Sequence, residues 1–341
     1  MSELAKKQHY GAIDGLRAFS AIGIVLMHVL GNGKYAVPGF VFGKLIPSFT
    51  NLVFLFMIIS GFSLCCGYYE KAINGTICWG DFYKKRFAKV WPFFAFWSVA
   101  DLLLSPSVNS LYEVFANLTL CFGLLPNPQI SVIGVGWFLG LVFAFYMLFP
   151  FFCWLISSKK RAWASLAIAL VLNYLCTVRF AAERANIVYS AAFFLAGGLI
   201  YLYKEQLGNF VHKWKWLVLL AVVLAAVCYY AVGAFVPVML VLYSLVLIYV
   251  LDGQGKYCIL NNRVTKFLGG ISMEIYLCHM VAFRVIEKLG LTQLFASDVL
   301  SFAAAAVCTL GGAVGLSMLT NWLLKQAGIW KVKLTNKKVS G

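Results

Sequence analysis

The chain has 341 residues, of which 62% are hydrophobic and only 12% charged, and its mean hydropathy is +0.86. Soluble domains are about half apolar and a quarter charged, so this composition excludes an ordinary soluble enzyme and predicts an all-α, polytopic membrane bundle. The net charge of +16 does not indicate a nucleic-acid partner. The basic residues are not interleaved with aromatic residues as in single-strand binders, and no zinc-finger or helix-turn-helix pattern is present.

The ten cysteines are interpreted as small apolar residues, because most of them lie inside apolar runs. No Cys-x-x-Cys pair exists, so we expect neither a metal site nor a disulfide framework. The segments between the apolar stretches are too short for a soluble domain. Residues 1–341 are therefore expected to form one integral membrane domain, without a tightly bound cofactor.

Ten apolar stretches are long enough to be membrane spans, which take about 20 residues each. In chain order they are 13–32, 49–69, 88–104, 134–156, 162–179, 187–203, 216–234, 236–251, 266–286 and 299–324. An eleventh stretch, 111–125, is shorter and contains Glu113 and Asn117.

The distribution of Lys and Arg predicts the topology, because these residues accumulate in cytoplasmic loops. With ten spans and a cytoplasmic N-terminus (1–12), the cytoplasmic side receives most basic residues, including the basic tail 325–341. If 111–125 also spanned, the Lys-Lys-Arg run at 159–161 would face outward and every later loop would invert. We therefore expect both termini in the cytoplasm, and 111–125 as an interfacial or re-entrant helix on the outer side.

The first predicted span carries Asp14, Arg17 and His28 on one helical face. Arg17 and His28 are eleven positions apart, which is about three turns and about 16 Å along a helix axis. Ionisable side chains in a membrane span are costly and are functional candidates. His28 could act as a general acid or base, or could be a packing histidine bonded to a carbonyl. Arg17 could bind a phosphate-bearing ligand from the cytoplasm, or could extend to the interface beside Asp14.

The ninth predicted span carries a second polar face. Ser272, Tyr276 and His279 are four and three residues apart and share a side, whereas Glu274 is expected to point elsewhere. The alternative for these residues is hydrogen bonding between helices. In the second span, Ser60 and Gly61 are interpreted mainly as small residues at a close helix crossing.

Two further groups lie at opposite ends of the predicted bundle. Lys85, Arg86 and Lys89, between the second and third spans, could lie on anionic lipid or could bind phosphate. On the outer side, Trp137, Arg179 and Arg184 could hold a sugar-like acceptor or could be interfacial belt residues. The sequence contains no Walker A motif, dinucleotide fingerprint, Gly-x-Ser-x-Gly elbow or His-Glu-x-x-His motif.

This set of motifs resembles the acyltransferase-3 family of integral membrane acyltransferases, which includes bacterial O-antigen and polysaccharide O-acetyltransferases. The matching segments are Asp14-Gly-Leu-Arg17 with His28, Phe56 to Phe62 with Ser60-Gly61-Phe62, the basic run Phe82 to Pro92, Trp137-Phe138-Leu139 with Tyr146 and Pro150, and Ser272-x-x-x-Tyr276-Leu277-x-His279. The chain departs from the family pattern at Val142, where many members have Glu, and at Lys89 and Met273.

The resemblance implies transfer of an acyl group, usually acetyl, from cytoplasmic acyl-CoA to a hydroxyl of a cell-surface or lipid-linked glycan. Arg17 and the Lys85–Lys89 cluster would hold the phosphates of CoA, and His28 would be the general base. Ser60 and Tyr276 are candidate donors to the thioester oxyanion. Direct attack of the acceptor hydroxyl on the thioester would require no covalent acyl-enzyme intermediate. The protein would lie in the inner (cytoplasmic) membrane, and its partners would be acyl-CoA, glycan and membrane lipid. The alternative is a transporter or flippase for a glycan or small anionic solute, without acyl transfer.

Overall fold

A computed structural model describes residues 10–104, 106–125, 132–252 and 259–328. These ranges contain helices and no strand. The helices are α1 (Gly11–Asn32), α2 (Val41–Ile73), α3 (Trp79–Leu104), α4 (Val108–Thr119), α5 (Trp137–Leu155), α6 (Lys159–Arg179), α7 (Ile187–Leu202), α8 (Lys204–Val232), α9 (Val236–Tyr249), α10 (Arg263–Gly270), α11 (Ser272–Lys288) and α12 (Asp298–Gln326). Most of the predicted N-terminal segment and of the basic tail 325–341 lies outside the described residues.

Each of the ten predicted apolar stretches is helical over most of its length. Among the described residues, six helices are long and apolar enough to cross a membrane, and the bent pair α10–α11 makes a seventh. Two other helices, α7 and α9, are also apolar but shorter, with 16 and 14 residues. The remaining stretch belongs to α3, whose first turns contain the basic run. The structure is therefore that of a helical membrane protein.

The short stretch 111–125 forms the 12-residue helix α4, followed by a single 3-10 turn. The Ser107 side chain caps α4 by accepting from the Ser110 amide, and Leu120 ends the helix with a left-handed backbone (φ 56°). The Trp91 indole N–H donates to the Leu118 carbonyl at 2.7 Å, which fastens α4 to α3. A helix of 12 residues is about 18 Å long and is too short to span.

The ninth span was predicted as one helix over 266–286, and this prediction is wrong. The chain bends by 75° between α10 and α11. Ile271 has a non-helical backbone (φ −109°, ψ 17°), directly after two glycines, which favour a helix least among ordinary residues. The Ser272 hydroxyl donates to the Gly269 carbonyl across the bend at 2.9 Å. A Cβ at Gly269 would collide with the backbone of Asp14, so this glycine lets the bend lie directly against α1.

The core of the bundle is built where α2 crosses α7. A Cβ at Gly61 would collide with the Phe194 carbonyl oxygen, so the two helices can approach this closely only with glycine. Stacked rings fill the space beside the crossing, with centroids 4.2 Å apart for Phe54 and Phe193 and 4.1 Å apart for Phe145 and Phe194. The prediction that Gly61 marks close helix packing is confirmed.

Candidate active site

The polar residues of α1 line two different cavities. Arg17 lies toward the N-terminal end of the helix, where its Nη1 donates to Asp14 Oδ1 at 3.1 Å and its Nη2 donates to Ser63 Oγ at 2.8 Å. His28 lies three turns further along the helix. Arg17 and Asp14 line one cavity and His28 lines the other. We call these the Arg17 cavity and the His28 cavity.

The Arg17 cavity has a volume of about 260 Å³ and lies between α1, α2, α3, α5 and the α10–α11 bend. Its polar lining consists of Asp14, Arg17, Ser60, Ser63, Arg86, Lys89, Tyr146, Ser272, Glu274 and Tyr276. A neighbouring cavity of about 420 Å³, beside Tyr10 and Tyr68, shares four of its lining residues and extends it toward the start of α1. Three cationic and two carboxylate side chains give the Arg17 cavity an excess of positive charge.

The cationic side chains of this cavity differ in the hydrogen bonds and ion pairs that they already form with protein groups. Arg17 is held by the carboxylate of Asp14 and by Ser63, whereas Arg86 donates from Nη2 to the neutral Tyr68 hydroxyl at 2.8 Å. The Arg86 Nε is buried without a hydrogen-bond partner in the described part of the chain. In the described residues, Lys89 also forms no ion pair with a carboxylate. Arg86 and Lys89 are therefore the cations with donors left for a bound anion.

Glu274 also lines the Arg17 cavity and is almost fully buried, although the sequence predicted that it points away from the Ser272–Tyr276 face. The bend at Ile271 explains the difference. Because α11 begins at the cavity, several sides of its first turn face the same space, and Ser272, Met273 and Glu274 all reach it. Glu274 is a cavity residue that helical periodicity alone did not identify.

The His28 cavity has a volume of about 360 Å³. His28 shares it with residues of five other segments: Thr50, Asp101, Val135, Trp137, Arg184, Tyr276 and Arg284. The volume is within the range of roughly 300–1,000 Å³ that is usual for small-molecule sites. The cavity therefore offers an ionisable imidazole, an aromatic ring and two guanidinium groups to a small polar ligand.

A second histidine stands behind His28. The rings of His28 and His279 are 5.0 Å apart between centroids, and His279 is completely buried. His279 Nδ1 lies 2.7 Å from the Tyr276 carbonyl oxygen. A carbonyl only accepts, so this nitrogen carries the proton and Nε2 keeps its lone pair. Nε2 has no hydrogen-bond partner in the described residues, which leaves it available to accept from an N–H group beside it.

The two cavities share a wall made of Tyr276 and Leu277, which line both. The Tyr276 hydroxyl donates to the Val135 carbonyl oxygen at 2.7 Å, and Phe138 packs edge-on against its ring at 5.6 Å. Val135 belongs to the short turn before α5 and faces the His28 cavity. Tyr276 is thus fixed at its ring and at its hydroxyl, and it separates the space beside Arg17 from the space beside His28.

Of the remaining predicted residues, Trp137 and Arg184 line the His28 cavity together. Arg184 Nη1 donates to Thr50 Oγ1 at 2.8 Å, and its guanidinium carbon is 5.1 Å from the centre of the Trp137 ring. Lys85 on α3 and Arg179 at the end of α6 are exposed and do not line either cavity. The roles suggested for Lys85 and Arg179 stay predictions.

The sequence analysis did not identify several polar residues that line these cavities, among them Ser63, Asp101 and Arg284. Ser63 binds Arg17, and Asp101 of α3 lies 3.8 Å from Arg284 of α11 in the His28 cavity. Ser63 lies three residues after Ser60 and so on a neighbouring position of α2, a signal that could have been used. Asp101 and Arg284 come from distant parts of the chain, and no local pattern connects them. Among the described residues, no cluster of His, Cys, Asp and Glu could hold a metal ion.

The sequence matches a family model described as an acyltransferase domain, that of acyltransferase 3, over residues 10–322. No curated protein and no solved structure matches the chain. The family match covers both cavities and almost every described residue, and it agrees with the resemblance carried by the motifs around Arg17, His28, Ser60 and Tyr276. The chain belongs to the acyltransferase-3 family.

Proposed function

We propose that the protein is an integral membrane O-acyltransferase that moves an acyl group, most simply acetyl, from cytoplasmic acyl-CoA to a hydroxyl of a cell-surface or lipid-linked glycan. The observation that carries this proposal is the pair of polar cavities on either side of Tyr276 and Leu277, one containing Arg17 and the other His28. Two substrates that arrive from opposite sides of a membrane need two such openings with a thin partition between them.

The proposal includes an orientation. With ten spans and both termini in the cytoplasm, the start of α1 lies on the cytoplasmic side of an inner membrane and His28 lies nearer the outer side. The Arg17 cavity and its extension beside Tyr10 then open toward cytoplasmic acyl-CoA. The His28 cavity opens toward an acceptor on the outer side. Membrane lipid surrounds the single domain, and acyl-CoA is a co-substrate rather than a tightly bound cofactor.

In the donor cavity, Arg86 and Lys89 supply the main contacts to the phosphates of CoA. Their unengaged donors support this assignment. Arg17 shapes the cavity through its bonds to Asp14 and Ser63 and adds to the positive potential. Glu274 limits the charge excess, which keeps the phosphate contacts reversible. The acyl arm would then extend toward the wall at Tyr276. Lys85, exposed on the same helix, would at most steer the donor toward the opening.

His28 acts as the general base in this mechanism. It takes the proton from the acceptor hydroxyl while the hydroxyl oxygen attacks the thioester carbonyl carbon. The carbon–sulfur bond then breaks, and the CoA thiolate leaves with the proton from His28, so the products are an ester and free CoA. No acyl-enzyme forms. The His279 ring lies beside His28, and its unpartnered Nε2 would accept the second ring N–H of His28 as the imidazolium forms, the role of the third member of a triad.

The oxyanion requires a hydrogen-bond donor near the wall. The Tyr276 hydroxyl is engaged by the Val135 carbonyl, whereas the Ser60 hydroxyl has no protein partner among the described residues. Ser60 is therefore the better candidate, and Ser272 is the poorer one because it is bonded to the Gly269 carbonyl. On the acceptor side, Trp137 and Arg184 would hold the sugar.

The proposal is tested with purified protein in lipid nanodiscs, radiolabelled acetyl-CoA and a lipid-linked glycan fraction from the source cells. Label should move to the glycan, and His28→Ala should lower the rate by roughly 10²- to 10⁴-fold, the usual contribution of a general base. His212→Ala is the matched control, because His212 is an exposed histidine that pairs with Asp252 outside both cavities. Glycan that crosses the bilayer without consumption of acetyl-CoA would support the transporter alternative instead. Unchanged transfer by His28→Ala would refute the catalytic role.

A further inference from the structure

The His28 cavity contains more positive charge than its own acidic residue can balance. Two guanidinium groups, Arg184 and Arg284, line it together with one carboxylate, Asp101. Asp101 is associated with Arg284, although loosely at 3.8 Å. In the part of the chain that the structure describes, Arg184 has no carboxylate partner. Its contacts there are the neutral Thr50 hydroxyl and the face of Trp137.

A guanidinium without a counterion is costly in a site partly enclosed by a membrane bundle. The contacts of Arg184 also fix its position. Thr50 takes one of its N–H groups and Trp137 covers one face, while the other N–H groups stay available to a ligand in the cavity. The parallel N–H donors of a guanidinium can form two hydrogen bonds at once to a single carboxylate or phosphate group. An apolar or neutral ligand would leave this charge uncompensated.

We infer that the acceptor bound in the His28 cavity is an anionic sugar, whose carboxylate or phosphate pairs with Arg184 while one of its hydroxyls faces His28. The inference rests on the proposed function and narrows its acceptor class. The volume of about 360 Å³ leaves room for one sugar unit with its charged substituent, so the anion belongs to the acetylated residue or to the linkage beside it. Trp137 lines the cavity beside the guanidinium and adds apolar surface to its wall.

Two sources can supply the anion, a uronic acid or a sugar phosphate, and the test separates them. Three acceptor fragments of one ring type are compared: methyl glucoside, methyl glucuronoside and glucose 6-phosphate. The same triplet is used in the galacto and manno series. Binding is measured as thermal stabilisation of the purified protein at constant ionic strength, because a ligand that binds the folded state raises its melting temperature by an amount that grows with the ratio of ligand concentration to Kd. Acetyl transfer to each fragment is measured in parallel with labelled acetyl-CoA.

We expect a charged fragment to bind at least tenfold more tightly than the neutral fragment of its series, and Arg184→Gln to remove that difference. Arg184→Lys should keep part of it, since the charge remains but the fork is lost. Lys44→Gln, which removes an exposed cation outside the cavity, should change nothing. Equal binding of neutral and charged fragments in all series, or a preference that survives Arg184→Gln, would overturn the inference. Charged fragments that bind through Arg184 but accept no label would leave the anion site intact and contradict the acyl-transfer proposal.

Discussion

Replacing His279 with alanine is expected to lower kcat by roughly 10- to 150-fold without removing either substrate site. His279 is fully buried, its Nδ1 is bonded to the Tyr276 carbonyl at 2.7 Å, and its unpartnered Nε2 lies in the ring that contacts His28. When His28 takes the acceptor proton, its second ring N–H would form a hydrogen bond from a charged group to His279 Nε2, which has no partner among the described residues before that step. Such bonds contribute about 1.5–3 kcal/mol. At about 1.4 kcal/mol per tenfold in rate, this range gives the stated loss.

The assay measures initial rates against acetyl-CoA concentration in nanodiscs, with elution on size exclusion as the check of folding. The KM for acetyl-CoA should change little, because Tyr276 separates the donor cavity from His279. The double variant His28→Ala/His279→Ala should be no slower than His28→Ala alone, since residues that act as one unit are not additive. His279→Gln, whose amide oxygen can accept the same hydrogen bond, should recover part of the loss. If the two losses multiply in the double variant, or if His279→Ala changes only KM, the positioning role is refuted.

Three further predictions concern the wall, the donor site and the helix crossing. Tyr276→Phe removes the bond that anchors the wall, so hydrolysis of acetyl-CoA without acceptor should rise severalfold, and an unchanged hydrolysis rate would contradict a partition there. Lys89→Gln should raise the KM for acetyl-CoA about tenfold while Lys84→Gln, which lies outside both cavities, does not, and equal effects would indicate general steering by charge. Gly61→Ala should lower the melting temperature in detergent by several degrees, since overpacking costs about 1–3 kcal/mol, whereas Gly67→Ala, with open space where its Cβ would lie, should not.

The parts of the fold that depend on local pattern could be predicted from the sequence. Apolar stretches of span length identified the helices, and the period of 3.6 residues placed Asp14 beside Arg17, which the 3.1 Å ion pair bears out. The role of Gly61 followed from a general rule about small residues at membrane helix crossings. Each of these predictions depended only on residues close together in the sequence or on a single helix.

The parts that were missed depend on tertiary geometry. Glu274 reaches the Arg17 cavity because the helix breaks at Ile271, and reasoning from helical faces assumes a straight helix. The ion pair of Asp101 with Arg284 joins helices far apart in the chain, and only the packed bundle brings them together. A break after two glycines could have been anticipated, but its angle depends on the contact of Gly269 with α1.

The arrangement around Tyr276 explains how a partition could open without disturbing the base. Its side chain forms the wall and is held by the Val135 carbonyl, whereas its backbone carbonyl holds the Nδ1 proton of His279. Rotation of the Tyr276 side chain would break the first bond and join the two cavities, and it would leave the second bond in place because the carbonyl belongs to the α11 backbone. Arg17 and His28 stay about 16 Å apart on one rigid helix throughout. In the proposed mechanism, the acyl group would have to pass from the Arg17 cavity to the His28 cavity, and the position of the Tyr276 side chain would control that passage.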